Sequence, residues 1–220
     1  MRHAVFRVDD GAHLLHFGGR AFPCDREIVA FHPWKGHALL LSSDTDCLSL
    51  WDADGLIRTA RVGVYPQGFA VSEDAAWVCG GADGKLHVLT LPSLRETAAI
   101  ALPGMPERVC LHGADAWVLS LLGEPEVCTA LLRTDLQRPE VQEITRFAGI
   151  PGALATDEKG LWVGVSELVV HQPWWTDGPD VIVEGVGLAA RIEVHPKGVL
   201  IEDSLENRHV FVRHARPDIP

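Results

Sequence analysis

The chain has 220 residues, with 19 Lys+Arg against 30 Asp+Glu, a net charge of −11 and a pI near 5.4. That balance argues against a nucleic-acid partner, because phosphate binding needs clustered Lys and Arg to release counterions. A 47% hydrophobic composition excludes a disordered chain, and the length suits one large domain or two small ones.

The first stretch, MRHAVFRVDDGAHLLHFGG, alternates and is broken by Arg7, Asp9 and Asp10, so it has no apolar core of the kind a signal peptide needs. No run of about 18 apolar residues follows anywhere, and no transmembrane helix or membrane partner is expected. Cys24, Cys47, Cys79, Cys110 and Cys128 are odd in number, widely spaced and free of CxxC pairs. Neither a disulfide framework nor a zinc site is expected, and a reducing cytoplasm is the simplest compartment.

Further along, period-two alternation such as Leu86-His87-Val88-Leu89-Thr90 dominates, with turn signals such as Ala82-Asp83-Gly84 between short runs. The chain reads as all-β. FAVSEDAAWV from Phe69 aligns with VCLHGADAWV from Val109, and segments around His32, Thr156 and His195 fit the same template. Taking the turn residues His32, Ser72, His112, Thr156 and His195 as markers, the spacings are 40, 40, 44 and 39. Each unit reads as four strands, in the second unit Gly68–Val71, Ala76–Cys79, Leu86–Thr90 and Thr97–Leu102. Four short antiparallel strands per repeat of this length is the pattern of a propeller blade.

The expectation is a single five-bladed β-propeller, with repeats at about 28–68, 69–108, 109–152, 153–189, and 190–220 plus 1–18. The last unit runs out where its fourth strand should begin. Phe6–Gly18 resembles the third-to-fourth-strand hairpin Leu50–Gly63, so the N-terminal strand or strands are expected to pair into the C-terminal blade, which would remove two open edges. His3–Val8 and His209–Arg213 both fit the third strand of that closing blade, one strand too many.

The stretch from Ile28 to about Gly152, with its apolar–turn–apolar first hairpins and the Val-Gly-x-x-Pro-x-Gly connection at Val62–Gly68, resembles tandem YVTN-type β-propeller repeats. The Tyr-Val-Thr-Asn tetrad is replaced by Trp77-Val78-Cys79-Gly80 and Trp117-Val118-Leu119-Ser120. The resemblance implies the architecture. That broad class includes lactonase-like enzymes, quinoprotein subunits and scaffolds, and fold alone does not choose among them.

Three groups of residues are candidates for function. His32, His112 and His195 share a repeat column that would suit a three-His metal site, but the column is a polar turn, so no metal and no cofactor are expected. Trp77, Trp117 and Trp162 alternate with small or polar residues and belong in the core between blades. Trp174 and Trp175, with Asp177, sit in the loop HQPWWTDGPD; they read either as an exposed partner-binding anchor or as a lid folded on the blade. Carboxylates also gather in the loops joining second and third strands: Asp44, Asp46, Asp83, Glu124, Glu126, Glu167, Glu202, Asp203 and Glu206. Such loops share one rim of a propeller, where they would attract a cation or a basic partner, or serve only as solvated turns. No Gly-x-Ser-x-Gly elbow or phosphate loop is present, and no catalytic residue is assigned. The leading expectation is a non-enzymatic scaffold that binds another protein. The rival is a small-molecule- or metal-binding hydrolase or lyase using channel carboxylates such as Asp44, Asp83 and Glu202.

Overall fold

The alternating segments form 22 strands, and no helix, among the described residues of the computed structural model. Those residues are 4–9, 12–17, 19–24, 27–123, 126–135, 137, 139–174, 178 and 181–213. The strands pair as six antiparallel sheets in chain order. The first holds β1 (Ala4–Asp9), β2 (Ala12–Phe17) and β3 (Arg20–Pro23). The second holds β4 (Ile28–Trp34), β5 (His37–Ser42), β6 (Cys47–Asp52) and β7 (Gly55–Arg61). The third runs through β8 (Gly68–Val71), β9 (Ala75–Cys79), β10 (Lys85–Thr90) and β11 (Arg95–Ala101). The fourth runs through β12 (Met105–His112), β13 (Asp115–Leu122), β14 (Cys128–Asp135) and β15 (Gln142–Ala148). The fifth comprises β16 (Pro151–Thr156), β17 (Gly160–Val165), β18 (Leu168–Pro173) and β19 (Val181–Glu184), and the sixth β20 (Ala189–His195), β21 (Gly198–Asp203) and β22 (Arg208–Arg213).

Consecutive side chains of a strand face opposite ways, and here each way leads to a different core. On β9, Ala76 and Val78 join Leu39, Leu41, Leu48 and Leu50 of the second sheet, whereas Trp77 and Cys79 join Val109, Val118 and Leu132 of the fourth. On β13, Ala116 and Val118 face back to the third sheet, while Trp117 and Leu119 face forward to Leu161 and Val163. The inner sheets are therefore apolar on both faces, as runs such as Leu39-Leu40-Leu41 record. Trp77, Trp117 and Trp162 are all buried, in the column the sequence reserved for core. The first strands lie side by side, β4 next to β8, β8 to β12, β12 to β16 and β16 to β20.

The strand pairing departs from the sequence count of five units. The N-terminal hairpin does not complete the last sheet. It continues into β3, a four-residue strand too short to stand out in the sequence, and these strands make a sheet of their own. Their aromatic face explains the choice: Phe6 lies on Phe31 at 6.4 Å and Phe22 on Trp51 at 6.0 Å, so they dock on the second sheet. The rivalry between His3–Val8 and His209–Arg213 disappears, because Arg208–Arg213 pairs with β21 and Ala4–Asp9 pairs with β2. The turn after the first strand of the second sheet also falls at Lys35-Gly36, three residues beyond His32.

Candidate functional site

In a sheet of consecutive antiparallel strands, the loop between strands two and three and the connection leaving strand four lie at the same end. Backbone hydrogen bonds tie these segments together from sheet to sheet. Val62 N–H donates to Asp46 O at 2.8 Å, Ala82 N–H to Val64 O at 3.0 Å, Gly149 N–H to Val127 O at 3.2 Å and Ser166 N–H to Ile150 O at 3.0 Å. Ser204 N–H donates to Leu188 O at 3.0 Å, and the Ser120 hydroxyl donates to Pro103 O. The result is a continuous rim.

A repeated sequence unit builds this rim. Gly63-Val64-Tyr65-Pro66, Gly104-Met105-Pro106 and Gly149-Ile150-Pro151 each lead into a first strand, and all three glycines have positive φ. The apolar residue before each proline is turned to solvent: Tyr65 is 51% exposed, Met105 39% and Ile150 46%. Val64, Val127 and Leu205 stand exposed on the same rim. Large apolar side chains gathered at one end of a monomer mark an interaction surface more often than chance exposure does.

Tyr65 is also strained. Its φ of 53° is left-handed, a region unfavourable for a bulky residue and doubly so before proline. Asp46 holds it there, Oδ1 accepting the Tyr65 N–H at 2.8 Å while Oδ2 faces Arg61 at 3.3 Å. Gly63 shows how tightly the region is packed. Its φ is +67°, and a Cβ would stand 2.8 Å from both Gly80 Cα and His87 Nε2. Beneath it, His87 is buried with a carboxylate on each ring nitrogen, Nε2 to Asp83 Oδ2 and Nδ1 to Glu96 Oε2, both at 2.9 Å.

The predicted acidic residues therefore divide into two kinds. Asp46, Asp83 and Asp203 are struts. Asp203 is fully buried and accepts the N–H groups of Gly187 at 2.9 Å, Leu188 at 3.1 Å and Glu206 at 3.3 Å, with Arg208 Nε at 3.2 Å. The backbone N–H of Gly187, then those of Leu188 and Glu206 and the Arg208 side chain, hold its carboxyl well below the usual range against the opposing effect of burial. Asp44, Glu126, Glu167, Glu202 and Glu206 are exposed at or beside the rim. Glu167 and Glu184 flank an open depression of about 650 Å³ floored by Gly149, Ser166 and Gly185. Glu124, Trp175 and Asp177 lie outside the described residues.

Trp174 stands at the opposite end of the sheets. Its ring stacks on His112 at 4.0 Å and lies 5.4 Å from Trp117, while its backbone N–H donates to Lys159 O at 3.0 Å. A side chain of the fifth sheet is thus laid on the fourth. His32, His112 and His195 do not converge: His32 meets Phe69, His112 meets Trp174 and His195 lies 3.5 Å from Glu193. Among the described residues no group of three or more His, Cys, Asp or Glu side chains is placed to hold a metal ion. Sequence reasoning missed the apolar crown, although the Gly–apolar–Pro recurrence was its signal.

The class defined by these sheets is an all-β fold of propeller type. Solved structures similar to it are propeller-type folds. They include hydrazine synthase from Kuenenia stuttgartiensis, with a TM-score of 0.62 and 12% identity over 87% of this chain and 67% of that one. U3-55K has a TM-score of 0.66 and 10% identity over 90% of this chain and 70% of its own. A 6-phosphogluconolactonase-like protein from Bacteroides uniformis has a TM-score of 0.70 and 9% identity over 95% of this chain and 76% of its own. No protein-family model matches the chain, and neither does any curated protein. No helix among the described residues is long and apolar enough to cross a membrane.

Proposed function

We propose that this protein is a non-enzymatic propeller scaffold, its six sheets acting as blades around a common axis, that binds another protein on the rim carrying Tyr65, Met105 and Ile150. The observation that carries this reading is the apolar crown itself, three exposed side chains each directly before a proline on three successive approaches to a first strand. Exposed acids beside it favour a partner with basic and apolar residues. A reducing cytoplasm suits the five free cysteines.

A photo-crosslinking amino acid placed at Tyr65, Met105 or Ile150 should capture the same protein from the native cell. The same group at Leu56 or Ile57, exposed on β7 away from the rim, should capture none of it. Equal capture from β7, or no capture from the rim, would sink this reading.

The alternative, a small-molecule- or metal-binding hydrolase or lyase, has one observation in its favour. Burial raises the carboxyl of Glu107, on first strand β12, above its ordinary value, and neighbouring Arg108 offsets this only in part. Asp83, named for that role from sequence, is instead engaged with His87.

A further inference from the structure

The register between first and second strands slips close to the rim in four sheets. The slips lie between Ile28 and Ala30, Pro106 and Arg108, Pro151 and Leu154, and Ala189 and Arg191. Such bulges take a residue out of the ladder and re-aim its side chain. The skipped residues are Val29, Glu107, Gly152 with Ala153, and Ala190. All but Glu107 are small or apolar.

Glu107 lies two residues from the exposed Met105, where β12 passes β8 so closely that a Cβ on Gly68 would meet Glu107 O. The Arg108 guanidinium does not neutralise it by contact. Its Nη1 donates to two carbonyls, Gln67 O at 3.4 Å and Glu107 O at 3.1 Å. The Glu107 carboxylate has no hydrogen-bond or ion-pair partner among the described residues. Partly desolvating a carboxylate without a partner is unfavourable, and a cation delivered by a ligand would relieve that cost.

Resting on the rim reading above, we propose that Glu107 is the specificity-determining acceptor of the rim, receiving the side-chain ammonium of a lysine on the bound protein while Tyr65, Met105 and Ile150 pack its apolar neighbours. Burial keeps the carboxyl above its usual range, as suits an acid whose counter-charge arrives from outside. A single partly buried pair of this kind contributes selectivity, since an apolar residue in the lysine's place would leave the carboxylate stranded.

The chain has 2 methionines, Met1 and Met105, so methyl-labelled methionine makes Met105 a reporter on the rim. The probes are acetyl-Leu-Lys-Leu-amide, its norleucine counterpart acetyl-Leu-Nle-Leu-amide, and acetyl-lysine-amide. The lysine tripeptide should shift the Met105 methyl signal saturably. Glu107→Gln should weaken that binding about tenfold or more, and the norleucine tripeptide should bind the parent protein with similarly reduced affinity. Equal affinity of both tripeptides for the parent protein would overturn the role of Glu107 without needing any variant, and leave the rim reading standing. Equal affinity of the lysine tripeptide for parent and Glu107→Gln would do the same. Acetyl-lysine-amide binding as tightly as the tripeptide would overturn the protein source of the lysine. A Met105 signal that none of the probes moves would refute the rim reading, and this inference with it.

Discussion

Replacing His87 by Ala tests whether its hydrogen-bonded cluster with Asp83 and Glu96 under the rim acts as a structural strut. Asp83 is 18% exposed and Glu96 46% exposed, yet each lies 2.9 Å from a ring nitrogen. Without the imidazole, Asp83 becomes a largely buried carboxylate with only the Lys85 N–H to Oδ1, at 3.2 Å, still in place. Leaving a largely buried carboxylate without its hydrogen-bond donor costs about 3 kcal/mol. Glu96 swings into water at a loss of about 0.5 kcal/mol, and the vacated volume adds about 1 kcal/mol. His87→Ala should therefore destabilise the protein by about 4.5 kcal/mol, a large share of the 5–15 kcal/mol typical of a whole domain. Urea unfolding followed by tryptophan fluorescence measures this as a shift of midpoint at unchanged slope. Double-mutant cycles apportion it: His87 with Asp83 should couple by about 2–3 kcal/mol, and His87 with Glu96 by under about 1 kcal/mol. A loss below about 1 kcal/mol for His87→Ala, or stronger coupling to Glu96 than to Asp83, would refute the reasoning.

Four further outcomes follow from the geometry. Trp174→Ala removes a half-buried ring from His112 and Trp117, so it should cost roughly 2 kcal/mol, less than full burial would give, and leave rim crosslinking from Tyr65 unchanged. Asp203→Asn should destabilise at neutral pH. The folded carboxyl lies below its unfolded value, so its contribution is present above the unfolded pKa and is lost as pH falls through the folded one; parent and variant urea midpoints should converge at strongly acid pH. Glu107→Gln should raise Tm slightly at neutral pH, because a carboxyl raised on folding costs stability once it ionises, and the gain should vanish on acidification. Tyr65→Gly should relieve left-handed strain worth about 1 kcal/mol while weakening rim capture, a gain in unfolding midpoint bought with function.

Strand identity was legible where alternation and turn chemistry agree. In the second repeat all four expected strands lie within two residues of β8 to β11, and the Trp77, Trp117 and Trp162 column reached the core as its period required. The sheet count was not legible, since β3 is four residues of mixed character, and the contacts of Phe22 with Trp51 and of Phe6 with Phe31 show where its sheet belongs. For the acids, composition cannot tell a strut from a surface charge. Asp203 and Glu202 are neighbours in sequence; one is fully buried under backbone N–H groups and the other faces solvent. Glu107 carried no motif, because what singles it out is a slip in register.

The sharing of cores between neighbouring sheets grades the molecule's cohesion along the chain. Each of the five buried clusters among the described residues joins two consecutive sheets, so the second to fifth sheets are held on both faces and the first and sixth on one. Cooperative opening in such an array starts where a unit has a single neighbour. Amide protons of β1 to β3 and β20 to β22 should exchange first, and those of β9, β10, β13 and β14 last. A rim set on the slowly exchanging sheets keeps Tyr65, Met105 and Ile150 in fixed relation while the first and sixth sheets open and close.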